Sequence, residues 1–92
     1  MGTNANKMRQ MLTKTPLSMD ALCELFDIST LELMVSTCNM LEGMIRLDIQ
    51  VLTQTSVIEV ANEDLIQLNN NLNVIRCAVS LKELKLETIC LN

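Results

Sequence analysis

Apolar residues recur along the chain in steps of three and four up to about residue 42, alternate with polar ones from 45 to 51, and return to steps of three and four from residue 65. Steps of three and four gather side chains on one face of an α-helix; alternation gathers them on one face of a strand. Met8, Met11 and Leu12 mark a first short helix over 4–13, stopped at Thr15-Pro16 because the residue before a proline disfavours the α conformation. Ser18 is placed to cap a second helix, about 19–26, with Leu17 and Leu22 spaced as a hydrophobic staple. Met19, Leu22, Cys23 and Phe26 share one face of it; Asp20, Glu24 and Asp27 share another.

Ser29 and Glu32 have capping-box spacing, and Ile28 and Leu33 form a second staple, so a third helix is expected from Ser29 to Leu41 or Glu42. Gly43 then falls where a left-handed C-terminal cap is wanted. Beyond it, Ile45, Leu47, Ile49 and Val51 point one way and Met44, Arg46, Asp48 and Gln50 the other, which predicts a half-buried strand. Thr53-Gln54-Thr55-Ser56 reads as a turn, and Val57, Ile58 and Val60 as a second, shorter strand. Asn62 can cap a last helix, with Glu63 and Asp64 at its positive end. Leu65, Leu68, Leu72, Ile75, Val79, Lys82, Leu86 and Ile89 then form a heptad-like seam with one lysine in it. Leu84-Lys85-Leu86 alternates, so residues 85–91 fit either helix or strand. Asn69-Asn70-Asn71 reads as a polar stretch that weakens the middle of that helix.

Helix, helix, helix, strand, turn, strand, helix is the order of a winged helix, and the wording of the chain agrees. Leu17-Ser18-Met19-Asp20-Ala21-Leu22-Cys23-Glu24-Leu25-Phe26-Asp27-Ile28-Ser29 resembles the second helix and turn of such domains. Met40-Leu41-Glu42-Gly43-Met44-Ile45 resembles a third helix entering its wing. The resemblance covers roughly residues 5–61. It extends to small dimeric winged-helix transcription regulators, which share an appended coiled-coil helix. It extends also to the winged-helix half of PCI-type scaffold subunits, although the helix-to-glycine spacing here is one residue shorter. The resemblance implies a mainly α (α+β) fold: a winged helix-turn-helix domain over 1–61 with a two-stranded wing, and a C-terminal helix over 62–92 for oligomerisation or docking.

Composition narrows the chemistry. A chain of 92 residues is one domain's worth, and with Phe26 its only aromatic the core must come from aliphatic residues, Met and Cys. Cys23, Cys38, Cys77 and Cys90 form no C-x-x-C pair and suit buried thiols in a reducing, intracellular compartment, cytoplasmic or nuclear. No apolar run approaches the roughly 20 residues of a membrane span. With no His, no nucleophile–base pairing and one internal glycine, neither nucleophilic catalysis, a phosphate-cradling loop nor a Cys/His zinc site can be assembled. The chain is therefore expected to be non-enzymatic, with no cofactor and no metal. Asp20, Glu24 and Asp27 are expected to be a solvated acidic face rather than a cation site.

Function then turns on surfaces. The expectation is a winged-helix protein–protein interaction domain that binds a partner helix or itself through apolar contact. Leu65, Leu68, Leu72, Ile75, Val79, Leu86 and Ile89 are its candidate interface, although the same seam could be the chain's own core. Met34, Met40 and Met44 could make an adaptable binding stripe or pack inside. The alternative is a dimeric DNA-binding regulator reading bases from the third helix through Thr30, Ser36, Thr37 and Asn39, with Arg46 nearby. Charge opposes it: the net charge is −4, the third helix carries no cation between Ser29 and Glu42, and Lys7, Arg9 and Lys14 form the only small basic cluster.

Overall fold

A computed structural model describes residues 2–91, with side chains described from 6 to 86. The described residues form four helices: α1 (Gly2–Lys14), α2 (Met19–Leu25), α3 (Ile28–Val51) and α4 (Thr55–Leu91). No strand occurs among the described residues. α1 and α2 each pack on α4, and α3 runs antiparallel to it. α4 is the axis on which the other three pack. The core joins Leu12 of α1 and Leu22 of α2 with Leu31, Met34, Cys38, Leu41 and Ile45 of α3. Leu65, Leu68, Leu72, Ile75 and Ala78 of α4 complete it.

This architecture corrects the winged-helix reading. The residues expected to form a two-stranded wing lie in helices: Met44–Val51 in α3, Val57–Val60 in α4. Gly43 is no left-handed cap, since no glycine among the described residues has positive φ. The core positions 34, 38, 41 and 45 step through it in threes and fours, with Ile49 packed alongside. Glycine in a helix interior costs about 1 kcal/mol. Burying Leu41 and Ile45 against α4 outweighs that, at about 2 kcal/mol for each side chain. The alternation over 45–51 arises because this stretch of α3 is apolar on two faces. Ile45 and Ile49 turn to the core, while Met44, Leu47 and Val51 stay exposed.

Three boundaries also move. The cap of α3 is Asp27 rather than Ser29; its Oδ1 accepts from the Thr30 N–H at 2.8 Å. α4 begins at Thr55, where the Val57 and Ile58 N–H groups both donate to the Gln54 carbonyl, so Asn62 lies inside it. Residues 85–91 are helical. The boundary expected between 61 and 62 therefore falls within α4. Ser18 does cap α2, accepting from the Ala21 N–H at 3.4 Å.

The break between α1 and α2 is held by a buried polar residue. In a continuing helix the Leu12 carbonyl would accept from residue 16, but Pro16 has no N–H to give. Asn71 of α4 supplies it: Nδ2 donates to the carbonyls of Leu12 and Thr15, both at 2.8 Å. Its Oδ1 accepts from the Leu17 N–H at 3.0 Å and from Gln67 Nε2 at 3.2 Å. Far from weakening α4, Asn71 satisfies the groups that the proline frees. The C-terminal end of α2 is met in the same way. Lys82 Nζ donates to the carbonyls of Cys23 at 3.0 Å and Phe26 at 2.5 Å. The lysine that interrupts the α4 seam is thus a cap for α2.

Candidate interaction surface

Of the residues expected at an interface on the last helix, Leu65, Leu68, Leu72 and Ile75 are buried against the chain's own helices. Val79 is half-buried beside them. A carboxylate at Ile75 would therefore break the core of a single chain. Leu86 is exposed at the edge of a shallow depression, about 440 Å³, lined also by Asp27, Ile28, Ser29, Lys82 and Lys85. The side chain of Ile89 lies outside the described residues.

The groups in that depression are already engaged. Asp27 caps α3, and hydrogen bonds from the Thr30 hydroxyl and backbone hold its carboxyl below the usual value, with a smaller contribution from the Lys82 charge. Lys82 is committed to α2. No group of three or more His, Cys, Asp or Glu is placed to hold a metal among the described residues. Burial pushes the Cys38 thiol up to about 11, which keeps it protonated and unreactive at neutral pH.

The candidate DNA-reading residues do not share a face. Thr30 and Thr37 are half-buried, and the Thr37 hydroxyl is spent on the Leu33 carbonyl at 2.9 Å. Ser36 and Asn39 are exposed. Arg46, the only cation in α3, lies further round and is paired with Glu42 at 3.0 Å. With the wing gone, the regulator reading loses the geometry on which it rested.

The three methionines separate. Met34 is core, whereas Met40 and Met44 lie on the outside of α3 with Leu33, Leu47 and Val51. Along α3 the residues 33, 37, 40, 44, 47 and 51 follow steps of four, three, four, three and four. At 100° per residue they fall within an arc of about 80°. They form one ridge, apolar except for Thr37, and its apolar members are 45–78 % exposed. Beside it the N-terminal arm leaves a notch of about 230 Å³ between Asn6, Met8 and Arg9 of α1 and Thr37, Met40, Leu41 and Met44 of α3. The spacing of this ridge was legible in the sequence. A helix end at Gly43 would cut the six positions into a helical half and a strand half; only a helix continuous through Gly43 aligns them.

No helix among the described residues is long and apolar enough to cross a membrane. Compared with family models, curated proteins and solved structures, the chain matches none.

Proposed function

We propose that this chain is a non-catalytic helical interaction module that takes a partner helix on the outer face of α3. The observation that carries the reading is the ridge of Leu33, Met40, Met44, Leu47 and Val51, exposed along one face, whereas the apolar seam of α4 is filled internally from Leu65 to Ile75. A contiguous apolar stripe of this kind marks an interaction site, and heptad spacing is what a second helix recognises. A reducing, intracellular setting accords with the free thiols of Cys23, Cys38 and Cys77.

The test is a photo-crosslinking residue placed at Leu47 and, as a control, at the exposed polar Asn73 of α4, in cells that express the full chain. A discrete protein adduct is expected from position 47 and none from position 73. Absence of any adduct at 47, or the same adducts from both positions, would overturn the reading.

A further inference from the structure

The ridge on α3 has features that select its occupant. Steps of four, three, four, three and four read the same from either end, so the ridge is complementary to its own reversed copy. One flank is formed by Ser29, Ser36, Gly43 and Gln50, seven residues apart and all uncharged. A Cβ placed on Gly43 would meet nothing within 4 Å, so a second backbone can approach there. The other flank is the notch. Four of its lining residues, Thr37, Met40, Leu41 and Met44, are spaced as the four-residue hole that receives a knob in coiled-coil packing.

We infer that the occupant is a second copy of this chain: α3 lies antiparallel against α3 of its twin, with the two-fold axis beside Gly43. The inference rests on the reading of the ridge as an interaction face. Leu33 then meets Val51 of the second copy, Thr37 meets Leu47, and Met40 meets Met44. Met44 of each copy enters the notch of the other. Charge favours this occupant. At a net charge of −4 two copies repel, yet the uncharged flank brings Gly43 to Gly43 and Ser36 to Gln50, with no like charges opposed. Glu42 and Arg46 lie round the polar side; Glu32, beside Leu33 and Ser36, and Asp48 are the charges at the ridge's two edges, toward opposite ends. An acidic or basic foreign helix would find no complementary row of charge there. The antiparallel arrangement also opposes the two helix dipoles.

Area agrees. Five apolar side chains, each about half exposed or more, offer on the order of 300–400 Å² per copy. A standard interface takes about 800 Å² per partner, a little over half of it apolar. Met8 at the lip of the notch adds to the apolar share.

The experiment is analytical ultracentrifugation of the full chain over a concentration series, with circular dichroism on the same samples. Wild type should dimerise. Leu47→Lys and Val51→Lys should each raise the dissociation constant on the order of a hundredfold, since symmetry counts each change twice, with helicity unchanged. Orientation is read by oxidising cysteine variants. Leu33→Cys mixed with Val51→Cys should give the mixed disulfide. Leu33→Cys alone should give no 33–33 disulfide, because its two copies lie about 27 Å apart along the helices. A wild type that stays monomeric at high micromolar concentration, dimers unaffected by both lysine changes, or an efficient 33–33 disulfide would overturn the inference. A monomeric wild type whose position 47 still crosslinks to another protein would overturn the self-pairing and leave the interaction reading standing.

Discussion

Asn71 Nδ2 donates a 2.8 Å hydrogen bond to the carbonyl oxygen of Leu12, 59 residues earlier, replacing the donor that Pro16 lacks. Around that bond a proline break becomes part of the fold. α1 and α2 can bend past one another because α4 carries, at the level of the break, one side chain with two donors and an acceptor.

Replacing that side chain should therefore cost more than its size suggests. Asn71→Leu leaves the buried Leu12 carbonyl, and the part-buried Thr15 carbonyl and Leu17 N–H, without their partner, a loss of about 3 kcal/mol. Asn71→Asp is expected to be at least as damaging, because a carboxylate would face two carbonyl oxygens with no donor to offer. Urea denaturation of the three proteins measures both. An Asn71→Leu variant as stable as wild type would contradict the account of the break.

Gly43→Ala discriminates the observed helix from a capped end. In the middle of α3, with ordinary helical dihedrals and open space at its Cβ position, alanine should stabilise the dilute monomer by about 0.5–1 kcal/mol. At a left-handed cap the same change would destabilise. Thermal melts at low protein concentration give the sign directly.

Lys82→Met keeps the aliphatic stem and removes the ammonium that serves the Cys23 and Phe26 carbonyls. α2 is too short to hold itself and relies on α4, so its C-terminal turn should open locally. A loss of about 1–2 kcal/mol is expected. Amide exchange should rise over Leu22–Phe26 while the middle of α3 stays protected. Uniform loss of protection across both helices would mean that Lys82 acts elsewhere.

Asp27 gives the fold a predictable acid response. Its folded pKa lies below the ordinary 3.8, chiefly through the Thr30 hydrogen bonds, so its contribution is complete above that ordinary value and disappears as pH falls through the folded one. Asp27→Asn keeps a good cap without the charge. The melting temperature of wild type should exceed that of Asp27→Asn at neutral pH, and the two should converge as the pH drops below about 4. A gap that does not change with pH would assign the difference to something other than this carboxylate.

Helix starts and stops that depend on local chemistry can be read along the chain. Pro16 ends the first helix, Ser18 caps the second, and the steps from Leu65 to Ile75 make a helix whose apolar face must be covered. Those are decided within a few residues: a missing N–H, a hydroxyl within reach of an amide, a repeat of 3.6 residues per turn. The state of residues 44–60 depends instead on packing between helices. A helix apolar on two faces and a half-buried strand write the same alternation over 45–51. The choice falls to whichever neighbour buries the inward set. α4 runs beside α3 along that stretch and buries Ile45, so the helix continues through Gly43. The same packing filled the α4 seam from Leu65 to Ile75 and left Leu33, Met40, Met44, Leu47 and Val51 outside. Which of two apolar stripes becomes core and which becomes surface depends on where the other helices lie, and no local interaction encodes that.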